Sequence, residues 1–220
     1  MSDRIRSRAT ISAGIAFVVL AVAGNALQGS TPALHGDAGA VVRFYSDGST
    51  RIAVAMMVSL ISVFFLTVFL AAFGSALTKV EGDEGWAGRM ASGGGVVTCA
   101  LLAGGFALNA AGALRAGDGG EVAPDSAVVF YDGGLALSGL AAPIGMAVLL
   151  AGSAFVTIST GMLPRWFGWA SAVLAVPGIV TPVSFLLMLL FPVWVVAACV
   201  VLARHRRQTT DGIASPDYVR

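Results

Sequence analysis

The sequence is short of charge. Asp and Glu number 12 and Lys and Arg 13, so charged groups make up 11% of the 220 residues, about half the share usual in soluble domains. A soluble domain of this size has to cover its surface with polar groups. Too few are present, and the missing polar surface reads as surface facing lipid. The net charge of +1 gives no bias toward nucleic acid, and no basic run with interleaved aromatics appears, so no nucleic-acid partner is expected. Cysteine is scarce as well. Cys99 and Cys199 lie inside apolar stretches without CxxC spacing or a nearby histidine, which argues for buried, inert thiols and against a metal or redox site. The only histidines, His35 and His205, fall outside the apolar stretches on opposite faces, whereas bis-histidine haem ligation needs both near one plane. HExxH, GxSxG, a P-loop and a strand-linked Gly-rich dinucleotide turn are all missing. No cofactor is expected.

What the chain has is apolar length. Apolar residues make up 57% of it, and a span needs about 20 of them to cross the roughly 30 Å hydrocarbon core. Five charge-free stretches reach that length: 9–27, 52–78, 90–114, 134–163 and 167–203. The last is too long for one tilted helix and suits two joined by a tight turn. Pro177, Gly178, Thr181 and Pro182 supply the break, because proline removes a backbone donor and clashes with the preceding turn. The expected fold is therefore all-α: a polytopic transmembrane bundle of six spans arranged as three hairpins. It forms a single domain, 1–203, whose last two spans are 167–181 and 184–203, with a cytoplasmic tail at 204–220.

Charge placement gives a separate check. With the N-terminus inside, the cytoplasmic segments hold Arg4, Arg6, Arg8, Lys79, Arg89, Arg165, Arg204, Arg206, Arg207 and Arg220, against Arg43, Arg51 and Arg115 outside. That bias fits the positive-inside rule, and a five-span count would put Arg204, His205, Arg206 and Arg207 outside. The protein is thus expected in the cell membrane with both termini cytoplasmic. Arg4, Arg6, Arg8, the apolar run 11–23 and the small residues 21–24 also have the form of a secretory signal. The repeat described next favours a retained helix.

The first hairpin carries Asn25 and then Val41-Val42-Arg43-Phe44-Tyr45-Ser46-Asp47-Gly48 before its second helix. The second carries Asn109 and then Val128-Val129-Phe130-Tyr131-Asp132-Gly133. Trp86-Ala87-Gly88-Arg89-Met90-Ala91-Ser92 likewise matches Trp166-Phe167-Gly168-Trp169-Ala170-Ser171. An even-spanning unit repeats in the same direction, so the two hairpins form a weak parallel repeat. Gly161 suits a left-handed cap and Pro164 the first turn of a helix. Trp86, Trp166 and Trp169 fall where an amphipathic ring favours the interface. The two outer loops read as short amphipathic helices on the membrane, one capped by Asp37 and presenting Val41, Val42, Phe44 and Tyr45, the other capped by Asp125 and presenting Val128, Val129 and Phe130.

The third span is small-sided, with Gly94, Gly95, Thr98, Cys99, Gly104, Gly105 and Gly112. Small residues let backbones approach closely in lipid, so this helix is expected at the centre. Phe65, Phe69 and Phe73 form a bulky stripe on the second, expected to face lipid or a small-sided neighbour. At Thr160-Gly161-Met162-Leu163-Pro164-Arg165-Trp166-Phe167-Gly168-Trp169 the chain resembles the TGxLPRWLGW joint of a group of uncharacterised, mostly actinobacterial membrane proteins, some assigned to DUF4386. Val42-Arg43-Phe44-Tyr45 and Val129-Phe130-Tyr131-Asp132 carry the same likeness, while Ser46-Asp47-Gly48 departs from it where a His-Arg pair often stands. The resemblance implies a six-helix membrane protein and supplies no catalytic residues.

Ionisable groups inside a membrane mark pathways and relays, and none sits in the interior of these spans. The polar candidates are Asn25 and Asn109, which either make interhelical hydrogen bonds or line a cavity opening outward. On the outer face Asp37, Arg43, Tyr45, Asp47, Asp125, Tyr131 and Asp132 are solvated charges and caps, or a converging site if the loop helices pack together; paired carboxylates there would bind a cation or act as acid and base. Pro143, Pro177, Pro182 and Pro192 fit either the broken helices of a transporter or ordinary membrane helices. Three functions stay open. The first is a non-enzymatic protein binding a lipid, an apolar small molecule, or a membrane partner that includes a second copy of itself. The others are a small transporter or channel, and a membrane enzyme at the outer face.

Overall fold

The protein's computed structural model describes residues 3–32, 37–82, 85–117, 123–179 and 184–213, with side chains for these apart from 3–8, 185 and 205–213. His35, Thr181, Pro182 and Arg220, named above, lie outside the described residues. Within them every regular element is helical. In chain order these are α1 (Asp3–Gln28), α2 (Ala38–Glu81), α3 (Trp86–Gly117), α4 (Pro124–Leu135), a π-helical turn (Ala136–Ala141), α5 (Ala142–Thr160), α6 (Arg165–Ala175), a 3-10 turn (Val176–Gly178) and α7 (Ser184–Ile213). Five of the runs are long and apolar enough to cross a membrane: α1, α2, α3, the continuous α4–α5 run and α7.

The sixth expected span, 167–181, falls on α6 and its 3-10 turn, Arg165–Gly178, of which the α-helical part stops at Ala175; residues 180 and 181 lie outside the described residues. α6 has 11 residues, about 17 Å at 1.5 Å per residue, and its 3-10 turn adds roughly 6 Å. The cause of the stop is Pro177, which has no N–H to give Val173; the Val176 N–H bonds that carbonyl instead and tightens the last turn. At the other end Gly161 takes φ +67° and its N–H bonds the Thr157 carbonyl. This is the left-handed cap expected of it, and Pro164 stands just before α6 as its N-cap.

The α4–α5 run shows how a proline is absorbed. Pro143 cannot donate to the carbonyl four residues back, that of Gly139, and the helix widens into the π turn just before it. The Ser184 hydroxyl, in the first turn of α7, donates to the freed Gly139 carbonyl at 3.4 Å. Gly178, closing α6, packs on the Pro143 carbonyl from the same side. Together these contacts place the α6–α7 reversal beside the π turn.

α3 lies between α2 on one side and the α4–α5 run on the other, the central place expected of it. Its contact with α5 is backbone against backbone. A Cβ on Gly94 would stand 2.5 Å from the Leu149 nitrogen, and one on Gly145 2.8 Å from the Thr98 nitrogen. Gly152 repeats the approach two turns on, against Ala87 and Ala91. Between α2 and α3 the joint is held by a carboxylate. Glu81 Oε1 and Oε2 accept from the Ala87 and Gly88 N–H groups at 3.1 and 2.7 Å, filling donors that every helix start leaves open. α1 packs on α2 and α7, and the Cys199 thiol donates to the Ile11 carbonyl at 3.9 Å. The start of α1 and the far part of α7 are therefore at the same end of the bundle.

Candidate functional site: the Tyr45 cluster and the α6–α7 groove

Two places among the described residues bring specific side chains together at a break in helix geometry. The first lies at the end away from Ile11 and Cys199. The segment 38–47 forms a short helix of its own, set off from the rest of α2 by a kink at Gly48, where φ is −128° and ψ 17°. α4 continues through the π turn into α5. The two segments pack together. Val41 and Tyr45 are buried at 2% and 0% exposure, so they face α3 and α4 and not the surrounding lipid, which corrects the expectation for both. Phe44 meets Tyr131 edge-on at 5.7 Å. Val129, by contrast, stays 66% exposed.

The polar groups in this cluster are mutually satisfied. Tyr45 Oη donates to Asn109 Oδ1 at 3.0 Å, and Asn109 Nδ2 donates to the Gly105 carbonyl. Tyr131 Oη donates to the Pro32 carbonyl, at 2.6 Å, in the segment after α1. Asn109 is therefore an interhelical hydrogen-bonding residue, closed off by Tyr45. Asn25 is exposed on α1, so the two asparagines line no common cavity.

The charged candidates do not converge. Asp37, Arg43, Asp47 and Asp125 are exposed and Asp132 is half-buried. Asp37 stands at the N-cap of α2 through its backbone carbonyl, while its side chain makes no capping bond and sits 4.0 Å from Arg43. Asp125 is not a cap either; that place belongs to Ala123, with Pro124 next and Asp125 in the first turn. An open polar concavity at the kink is lined by residues 47–51 alone. Among the described residues no three of His, Cys, Asp and Glu come close enough to hold a metal ion.

The second place was not foreseen in the sequence. Trp194 of α7 is 3% exposed and its Nε1–H donates to Ser171 Oγ of α6 at 2.9 Å, whose own hydroxyl donates to the Phe167 carbonyl. Phe167 and Phe191 stack on the indole at 5.6 and 5.7 Å, and Phe73 of α2 meets it edge-on at 5.6 Å. The Phe stripe of α2 thus turns inward: Phe69 and Phe73 are buried, packed on α7 and on Gly14 of α1. A tryptophan in the middle of an apolar run, far from any interfacial charge, was the available signal, because a buried indole N–H needs an acceptor.

These bulky rings hold α6 off α7 and leave a groove of 180 Å³ between them, floored by Phe167 and Trp194. Trp166, Ala170 and Leu174 form its α6 wall and Leu190, Val193 and Ala197 its α7 wall. The positions follow the helix repeat of four and of three to four, so each wall is one continuous face. Every lining residue is apolar. Trp166 and Trp169 are 58% and 62% exposed beside it.

Comparison with protein-family models, with characterised proteins and with solved structures finds no match to this chain. The functional reading therefore rests on sequence and geometry: an all-helical protein whose apolar helices suit a lipid bilayer, with one polar cluster that is internally satisfied and one apolar groove that is open.

Proposed function

We propose that this chain is a non-enzymatic integral membrane protein that holds the hydrocarbon part of a lipid, or an apolar molecule of similar shape, between α6 and α7. The observation that carries this reading is the groove itself. Both walls and the floor are apolar, and the wall from Trp166 to Leu174 extends about 12 Å at 1.5 Å per residue. The floor is fixed by the Trp194–Ser171 hydrogen bond and its aromatic stack, so the groove is preformed, as small-molecule sites usually are.

The remaining parts of the reading are also ours. The surplus of Arg and Lys around the end carrying Ile11 and Cys199 supports a cytoplasmic location for that end. The exchange of hydrogen bonds, Tyr45 to the second hairpin and Tyr131 to the first, supports the parallel repeat. The DUF4386-like joint at 160–169 falls on the turn that opens α6, and kinship with that group is part of the proposal. A transport pathway has less support, because Asn109 is sealed by Tyr45 and both Pro143 and Pro177 have local structural partners. An enzyme at the opposite end has less as well, since its carboxylates stay apart from any shared pocket.

Native mass spectrometry of protein extracted in mild detergent tests the reading. One lipid or apolar molecule per chain is expected on the wild type and is lost from Ala170→Trp, which fills the groove. A bare wild-type chain, or equal retention by the variant, overturns it; an additional protein or a second copy seated there would replace the ligand with a partner.

A further inference from the structure

The groove has charge at only one end, and that end is basic. Arg165 immediately precedes Trp166 on α6. On α7 the α7 wall runs through Leu190, Val193 and Ala197, and seven residues further, two turns on the same face, stands Arg204. Ser171 of α6 meets Trp194 and Gly178, at the far end of the same segment, meets Leu187 near the start of α7, so the two helices run antiparallel. By that register Arg204 lies about one turn beyond the level of Arg165, roughly 5 Å, within reach of two long side chains. Both arginines are exposed, and among the described residues neither forms an ion pair. The sequence gives them no acid nearby: from Gly133 to Thr210 there is no Asp or Glu. Trp166 and Trp169, exposed beside the groove, mark this as the headgroup level.

An apolar slot whose mouth is framed by two exposed arginines at headgroup depth matches a molecule with a hydrocarbon tail and an anionic head. We infer that the ligand of the groove is an anionic phospholipid, with one acyl chain along α6 and α7 and its phosphate between Arg165 and Arg204. This inference rests on the reading of the groove as a lipid site and adds the headgroup class. Arginine suits the role because its planar fork binds phosphate oxygens in pairs.

The test uses the full chain in nanodiscs containing phosphatidylglycerol and phosphatidylcholine of identical acyl chains, released into the mass spectrometer. The wild type is expected to keep phosphatidylglycerol over phosphatidylcholine. The preference should fall about five-fold in Arg165→Gln and again in Arg204→Gln, from the usual worth of one basic residue near an anionic surface, while one lipid per chain is still held. Ala170→Leu and Ala170→Trp should release both lipids alike. Equal retention of the two lipids by the wild type, with loss in the Ala170 variants, overturns the headgroup assignment and leaves the groove reading intact. Retention unaffected by either Ala170 variant, in chains that keep wild-type thermal stability, overturns both. An undiminished phosphatidylglycerol preference in the double arginine variant overturns the assignment to this mouth.

Discussion

The seam between α3 and α5 and the seam between α6 and α7 solve one problem in opposite ways. In lipid there is no hydrophobic drive to press helices together, so contact must come from packing and hydrogen bonds. At the first seam Gly94, Gly145 and Gly152 bring backbones together and no room remains for a side chain. At the second, Phe167, Phe191 and Trp194 act as spacers, and the helices touch through rings with space left beside them. The difference separates a structural seam from one that can accept a guest. Close packing leaves nothing to bind, whereas spacing by large rigid side chains makes a preformed slot.

The sharpest way to break this comparison is Gly94→Leu. The new Cβ would face the backbone at Leu149, which cannot move aside as a side chain can, and a loss of about 3 kcal/mol is expected, the upper part of the range for overpacking. A large fall in thermal stability in detergent would show it; near-wild-type stability would mean that α3 and α5 are further apart than described. Trp194→Phe tests the other seam. It keeps most of the volume and loses the bond to Ser171, so a cost of about 1 kcal/mol is expected, together with loss of the blue-shifted part of the tryptophan emission. Trp86, Trp166 and Trp169, all at least 48% exposed, should supply what emission is left.

Tyr45→Phe removes the donor to Asn109 and should cost about 0.6 kcal/mol, the average for a hydrogen bond between helices in lipid. A much larger loss would make the Tyr45 cluster a principal anchor of the fold. The smallest effect is expected from Ala170→Trp, under about 0.5 kcal/mol, because the groove has room for the ring and the site lies at the surface. The contrast with Gly94→Leu is the useful quantity. If both additions destabilise equally, the two seams are not different in kind.

Much of the fold was legible because the bilayer imposes length and composition. The apolar runs 9–27, 52–78, 90–114 and 184–203 all fall inside observed helices, and the cap at Gly161 followed from a glycine ahead of Pro164. The small side of α3 predicted its central place, since only small residues allow the backbone approach seen at Gly94. The extent of helices was harder to read. The first outer segment leads into the second span with only the kink at Gly48 between them, and α4 enters α5 because Pro143 is absorbed by a π turn and by Ser184 from a distant part of the chain. The candidate site was largely illegible. Tyr45 and Asn109 were picked out by the repeat, yet their pairing needed the fold to bring them together. The charges Asp37, Arg43, Asp47, Asp125 and Asp132 were grouped by sequence proximity to the same end; only Asp37 and Arg43 come within 4.0 Å of each other among the described residues, and no shared pocket gathers the rest. Trp194 was passed over because a ring in an apolar run is ordinary, and its meaning depends on Ser171, which lies on another helix.

The bond from Glu81 to the start of α3 bears on how the chain is made. It joins residues only six and seven positions apart, so closing the loop costs little entropy and needs no later part of the chain. The carboxylate can seize the Ala87 and Gly88 amides as soon as they have been synthesised, before any of the helices beyond α3 exists. The turn between α2 and α3 is thereby set early, and this pair can enter the bilayer as a finished hairpin on which the remaining helices assemble.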